Sequence, residues 1–582
     1  MGESSQSRFH GYSYHHFQRD LLSGLIVGVI AIPLGMAFAI ASGVRPEYGI
    51  YTTIIAGILI SLFGGSKFQI GGPTGAFIPI LLGIVMTYGY ENLLIAGFMA
   101  GVMLLLMGLL RLGSLIKFIP KPVTIGFTAG IAVIIFTGQI SSFLGLSEIV
   151  RHEDFISNMK EIWLHLNTFS FYSLIISMIS LSLILITPRM FPKVPGPLIG
   201  LVVSSAVAAF FFPDKVATIG SAFGEIPSSL PTFHFPEISL ETCLRLLQPA
   251  LVIALLGGIE SLLSAVVADG MSGSRHNSNR ELIGQGIANM ITPLFGGIPA
   301  TGAIARTATN IRNGAASPLS GVIHGLVVLV VLLLLAPYAS HIPLASMAPI
   351  LMVVAWNMSE RHEFLHILRT RTSDSFILVI TFLLTVFTNL TLAVEVGLIL
   401  ATILFVKRMS EILTIVKVIP DPFNPNNVVI AHLINDKKDC NQISIYTVKG
   451  PLFFGAAQMF EKSLLHSVHN RLHVLILRMS NVPYMDTTGE SNLKRIIQHF
   501  RDKGCTVYLS GLQPQPKKVL MKTGLLDTIG RENLFQDSKD AMIAAVGKLE
   551  PNKCIGCPHY ENGECTLLSY SKTEYLREEV MH

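Results

Sequence analysis

The chain has 582 residues, 51% hydrophobic and only 14% charged, with a formal net charge of +5. Soluble domains carry about 25% charged residues, so most of this chain reads as embedded in a bilayer. The small net charge and the absence of a recognition motif argue against a nucleic-acid partner. Of the six cysteines only Cys243 precedes the last apolar run, so they form no disulfide framework, and in a cytoplasmic C-terminal region they stay reduced.

The opening "MGESSQSRFHGYSYHHFQRD", residues 1–20, lacks an apolar core followed by a small-residue cleavage site. It reads as a retained cytoplasmic segment and not as a signal peptide. Its first residues fit the myristoylation pattern only superficially. His10, His15 and His16 are scattered among aromatics, which points to the interface more than to a metal.

Next come about fourteen apolar segments, at 21–42, 49–64, 74–87, 93–110, 123–140, 171–187, 195–212, 250–268, 282–295, 301–311, 319–337, 343–357, 376–389 and 391–406. Some twenty apolar residues cross a bilayer, and several of these runs are shorter or broken by Gly or Pro. With the N-terminus inside, at least thirteen Lys and Arg fall in inner loops. The outer loops hold only Arg45, Arg151, Lys160, Lys215 and Arg245. That asymmetry places both termini in the cytoplasm.

The chain also resembles itself. "LFGGSKFQIGGPTGAFIP" from Leu62 and "LFGGIPATGAIART" from Leu294 each place Leu-Phe-Gly-Gly, then Thr-Gly-Ala, before a short apolar run. Both occupy the third of seven segments, so the expected transmembrane domain, 21–410, holds two repeats of opposite orientation, about 21–213 and 249–410.

After "DPFNPNN" the pattern becomes that of a soluble α/β domain, residues 421–547. Strand-like runs at 428–434, 443–448, 474–479 and 506–510 alternate with helical patterns at 455–468, 488–502, 515–523 and 538–546.

Gly and Pro interrupt the apolar period at Gly71, Gly72 and Pro73 and again at Gly296, Gly297 and Pro299, so each short helix starts inside the bilayer. Two facing helix N-termini expose unpaired N–H groups and make an anion site. The expected site uses the backbone of Pro73, Thr74, Gly75 and Ala76, and of Thr301, Gly302 and Ala303, with the Thr74 and Thr301 hydroxyls as added donors. The plainer alternative is that these glycines only permit close helix packing. Arg306 either strengthens the anion field or snorkels to the interface.

Glu260 stands in "GGIESLLSAVVADG", near the centre of an apolar run, with Ser264 one turn further on the same face. An acid there is expensive and functional by default. Since burial favours the neutral form of a carboxylic acid, Glu260 is a candidate proton carrier. The alternative is a permanent ion pair, for instance with Arg306.

Together "PEYGIYTTIIAGILISLFGGSKFQIGGPTGAF", "GGIESLLSAVVADGMSG", "GGIPATGAIARTATNIRNGAASP" and "ILMVVAWNMSE" resemble the SulP family of anion transporters, over about residues 15–545. The resemblance looks closest to the bacterial branch containing proton-coupled C4-dicarboxylate carriers. It implies fourteen helices in a seven-plus-seven inverted repeat, divided into core and gate, with substrate between the third and tenth helices and elevator-like motion. It also implies a homodimer and a C-terminal STAS domain. In the sodium-coupled bicarbonate branch an Asp stands at the position of Glu260 and a Thr at that of Ser264, so the glutamate favours protons over sodium. "VPYMDTTGESNLKRI" resembles the Asp-Ser-Ser-Gly motif of anti-sigma-factor antagonists, which makes Thr487 a candidate phosphorylation site and the domain a candidate target of a cytoplasmic regulator. Alternatively, Asp486 or a Thr simply caps a helix.

Beyond the resemblance lies a tail, 548–582, with "KCIGCPHYENGEC". Cys554, Cys557, His559 and Cys565 suit zinc, an iron–sulfur centre completed by another chain, a redox switch or idle reduced thiols.

No constellation points to an enzyme. The expected function is secondary active transport of a small anion across a bacterial inner membrane, as proton-coupled uptake of a fumarate- or succinate-like dicarboxylate. Sulfate or sodium-dependent bicarbonate transport is the alternative, and a membrane-anchored STAS sensor or scaffold is the reading from another class.

Overall fold

The structure, a computed structural model, describes residues 12–114, 120–152, 154–191, 194–237, 239–388, 390–420, 428–430, 442–456, 460, 464 and 472–549. Its packing divides the chain into two units, Met1–Ala401 and Thr402–His582.

The first half of the membrane part contains α1 (Tyr14–Ala41), α2 (Pro46–Phe63), α3 (Ile78–Tyr88), α4 (Tyr90–Leu109), α5 (Lys121–Gly138), α6 (Phe171–Met190) and α7 (Gly196–Phe211). The second contains α8 (Leu240–Ser272), α9 (Ser278–Ile291), α10 (Ile304–Arg312), α11 (Leu319–Ala339), α12 (Leu344–Met358), α13 (Ser373–Phe387) and α14 (Leu390–Glu411). Each expected apolar segment corresponds to one of these. Among the described residues, seven helices are long and apolar enough to cross a membrane unaided, and the third of each half is short, 11 and 9 residues.

Helix α1 starts earlier than the apolar run that announces it. Ser13 is its N-cap, so Asp20 lies inside the helix and is fully buried, not in a separate N-terminal segment. Its carboxylate accepts hydrogen bonds from the amides of Ala316 (2.7 Å) and Ser317 (3.0 Å) and from the hydroxyls of Ser317 (2.6 Å) and Tyr12 (2.9 Å). A buried charge is tolerated only with such full pairing.

The helices pack in two groups. Helices α1–α4 pack with α8–α11, and α5–α7 with α12 and α13, with Gly397 of α14 against Val123 of α5 and Thr381 of α13, so each group draws equivalent helices from both halves. Glycine lets the first group close up: a Cβ on Gly49 of α2 would stand 2.0 Å from the Gly35 carbonyl of α1. Bulky apolar side chains such as Phe210 and Leu334 remain exposed on the outside, at 81% and 68%, as lipid-facing residues do.

At the centre, β1 (Gly71–Gly72) and β2 (Thr301–Gly302) pair antiparallel, Gly71 with Gly302 and Gly72 with Thr301. These strands lead into α3 and α10. Corresponding segments of the two halves therefore run in opposite directions, which is the geometry of an inverted repeat.

In the second unit the strands are β3 (Thr414–Pro420), β4 (Val428–Ile430), β5 (Ile443–Lys449), β6 (Val474–Asn481), β7 (Thr506–Ser510) and β8 (Leu534–Phe535), in sheet order β4-β3-β5-β6-β7-β8. The described helices include α15 (Thr487–Asp502), α16 (Pro514–Lys522), α17 (Leu525–Ile529) and α18 (Ser538–Val546). Strand β3 lies before the expected start of this domain, because its β-branched residues follow the apolar α14 with hardly a break. Most of the expected helix 455–468 falls outside the described residues.

Candidate anion-binding site

The site grows from the β1/β2 ribbon. Thr74 follows Pro73, and a tight turn at Gly75–Phe77 starts α3. Helix α10 starts at Ile304, with Ala303 as N-cap and no side-chain cap. The first amides of such helices have no intrahelical acceptor. Those of Gly75 and Ala76, and those of Ile304, Ala305 and Arg306, find none among the described residues either.

The second set differs from the expected one. The Gly302 amide donates to Ser261 Oγ (3.0 Å) and the Ala303 amide to the Ile70 carbonyl (2.8 Å), so both are used up inside the fold. The open donors of the second half thus lie further along the chain, at the true helix start.

The two threonines also differ. Thr74 Oγ1 donates to Glu260 Oε2 at 3.0 Å. Thr301 Oγ1 donates to the Gly257 carbonyl (2.9 Å), lies 2.6 Å from Ser261 Oγ and is fully buried. Its hydroxyl holds α8 against the ribbon and has nothing left for a ligand.

Glu260 is partly buried on α8, and among the described residues no cation lies within 4.0 Å of its carboxylate. The alternative of an ion pair with Arg306 is therefore not what the side chains form. Instead Arg306, 3% exposed, donates through Nη2 to the Pro73 carbonyl, while its Nη1 has no partner. The guanidinium is thus held beside the start of α3, with one donor edge open, and does not snorkel. Ser264 is fully buried and donates to Thr307 Oγ1 (3.2 Å), which in turn accepts the Ile70 N–H at 3.1 Å.

Several supporting residues escape a reading of the sequence. Asn289 of α9 takes both the amide and the carbonyl of Ala300 at 2.8 Å, and Thr52 of α2 does the same for Ile298 at 2.7 and 3.1 Å. Glu281, fully buried, accepts from the amides of Gly65 (2.7 Å) and Ser66 (3.0 Å), mirroring what Asp20 does for the loop after α10. These clamps fix two irregular backbone segments that could not otherwise exist at membrane depth.

A model of the sulfate permease family matches residues 17–381, and a STAS-domain model matches 436–541. The chain belongs to the sulfate permease family. It is 58% identical to the protein named "Putative sulfate transporter YvdB" of Bacillus subtilis (strain 168) over 91% of this chain and 98% of that one. The bicarbonate transporter BicA of Picosynechococcus sp. is 30% identical over 93% and 97%. The solved transmembrane domain of a cyanobacterial BicA superposes with a TM-score of 0.59 at 31% identity, covering 67% of this chain and 98% of that one. The overall structure of SLC26A9 superposes with a TM-score of 0.84 at 19% identity, over 93% and 92%, a likeness of fold. This permease is thus a multi-pass membrane anion transporter with a C-terminal STAS domain, and the proteins it resembles are transporters and not enzymes.

In that STAS domain Asp486 is the N-cap of α15, accepting from the amides of Gly489 (2.7 Å) and Phe454 (3.0 Å), which leaves Thr487 and Thr488 exposed. Burial pushes the Cys505 thiol up to about 11, so it stays protonated and unreactive at neutral pH. Cys554, Cys557, His559 and Cys565 lie outside the described residues.

Proposed function

We propose that this permease takes up a small oxyanion together with a proton, with the anion held between the starts of α3 and α10. The observation that carries the reading is the Thr74–Glu260 hydrogen bond at 3.0 Å, which ties an otherwise unpaired carboxylate to the anion-binding turn. Protonating Glu260 removes a negative charge from beside the anion, so proton and anion favour each other's binding. Arg306, with its open Nη1, and the amides of Gly75, Ala76, Ile304 and Ala305 supply the attraction. Alternating access follows from the α1–α4/α8–α11 group moving, elevator-like, against the other helices.

Sulfate is the first substrate to test, since the relative of 58% identity carries that name, and bicarbonate the second. A C4-dicarboxylate, expected from the sequence resemblance, is the third. Glutamate at the coupling position favours protons over sodium. The further reading is a homodimer in a bacterial inner membrane with both termini cytoplasmic, Thr487 open to phosphorylation and the C-terminal thiols available to a metal.

The test is uptake of labelled sulfate, bicarbonate and fumarate into liposomes, with an inward proton gradient, a sodium gradient or neither. One anion accumulating under the proton gradient alone supports the reading. Accumulation under sodium alone contradicts its coupling half, and no accumulation of any anion favours the sensor or scaffold.

A further inference from the structure

A cavity of about 370 Å³ lies between α1, α3 and α8 on one side and α5, α13 and the helix Phe155–Leu164 on the other. Its lining combines apolar and polar side chains. Ile78, Ile80, Ile84, Ile134, Ile135 and Val252 make an apolar floor. Ile135 Cδ1 would lie 3.6 Å from a Cβ on Gly75, so this floor abuts the anion-binding turn without belonging to it.

The other end, near the C-termini of α3 and α5, mixes polar and apolar side chains, Ile149, Phe155 and Ile162 among the latter. Thr137, Gln139, Ser141 and Gln248 line it beside Arg151. The Arg151 Nη1 donates to the Ile40 carbonyl at 3.2 Å, and among the described residues no carboxylate lies within 4.0 Å of the guanidinium. Its neighbour His152 lies 3.6 Å from Glu161, so among the described residues here the solvent-exposed Arg151 is the cation without a carboxylate partner. The walls leave real room, because a Cβ on Gly83 or Gly138, both in the lining, would meet nothing within 4 Å.

We propose that this cavity binds an organic anion with a short alkyl chain, its head at Arg151 and its chain along the isoleucine floor. The chemistry selects that class. An inorganic oxyanion uses the cation but gains nothing from the floor, and a neutral alcohol uses the floor but not the cation. Size agrees, since sites for small organic ligands start at about 300 Å³. Because the walls come from both helix groups, an occupant bridges them and opposes their relative motion. That consequence rests on the transport reading, whereas binding itself does not.

The experiment uses the full chain in phosphatidylcholine nanodiscs and equilibrium binding of labelled octyl sulfate, with octanol, octyltrimethylammonium and inorganic sulfate as competitors. Octyl sulfate binds one site per chain, only unlabelled alkyl sulfates displace it, and each methylene removed weakens binding about fourfold. Arg151→Gln weakens binding about tenfold, and Arg151→Lys restores part of it. Gly138→Leu fills the cavity from a wall with free space, abolishes binding and leaves the fold intact. In proteoliposomes that take up the transported anion, octyl sulfate lowers the maximal rate and leaves KM unchanged.

Several outcomes overturn the proposal. Equal displacement by octanol, or binding indifferent to both Arg151→Gln and Gly138→Leu, assigns the binding to the bilayer. Displacement by inorganic sulfate at its transport KM assigns it to the central site. Loss of binding when phosphatidylglycerol replaces phosphatidylcholine assigns the cavity to a lipid headgroup. If binding behaves as described but no anion is transported, the site stands and the function proposed above fails.

Discussion

The segments that lead into α3 and α10 share Leu-Phe-Gly-Gly and Thr-Gly-Ala and end in different chemistry. In the first half Thr74 points its hydroxyl at Glu260, and the amides of Gly75 and Ala76 stay open. In the second half Thr301 is spent on Gly257 and Ser261, and the amides of Gly302 and Ala303 are spent as well. What the second half contributes instead is Arg306, reaching back to the Pro73 carbonyl of the first. On the proposed mechanism the first segment communicates with the proton and the second supplies the charge. A repeat in sequence thus yields two complementary parts, because each threonine answers to its own neighbours on α8.

The sharpest way to break this comparison is Arg306→Ala. It leaves a buried carbonyl unpaired and removes the fixed cation, so anion uptake falls by roughly 30- to 100-fold, with Arg306→Lys recovering only part. Uptake rates at saturating and limiting anion check it. Removing the buried hydroxyl in Thr301→Val destabilises the membrane domain by about 1–3 kcal/mol, read as a lower Tm, with the pH profile of uptake unchanged. Thr74→Val does the reverse: the Tm moves little, because the lost partner is a single hydrogen bond, while the pH dependence of uptake shifts. If the two variants behave alike, the division of labour is wrong.

Glycine substitutions sharpen the same contrast between packed and open regions. A Cβ on Gly302 would stand 1.7 Å from Gln69 Nε2, so Gly302→Ala forces Gln69 out of place and costs about 1–3 kcal/mol. Gly83→Ala, with nothing within 4 Å, is close to neutral. In the STAS domain Asp486→Ala removes a helix cap worth about 1 kcal/mol, measurable as a lower midpoint for that domain. The smallest effect concerns Cys505: with its thiol pushed up to about 11, alkylation of the folded chain is slow at pH 7 and accelerates only as pH rises toward that value.

Much of this architecture is legible in the sequence because it is written in local pattern. Glycine and proline mark where α3 and α10 begin, the apolar runs mark the fourteen segments, and an acid amid them marks Glu260. What stays hidden depends on partners far apart in the chain. Glu281 serves Gly65 across 216 residues and Asp20 serves Ser317 across 297, and no local spacing reports such a contact. The same holds for Thr301: its motif promises a hydroxyl for a ligand, and only the approach of Ser261 and Gly257 reveals that it is consumed. Asp20 is further disguised by charged and aromatic neighbours, which make the start of α1 look like a solvated leader.

The most direct test of proton coupling through Glu260 is the number of protons entering per anion, read from a pH dye trapped in proteoliposomes while labelled anion is counted. The native chain should show a fixed proton-to-anion ratio. Glu260→Gln should show anion exchange that continues with no proton entry and no accumulation against a gradient. An unchanged ratio in Glu260→Gln would contradict the claim that this carboxylate carries the proton.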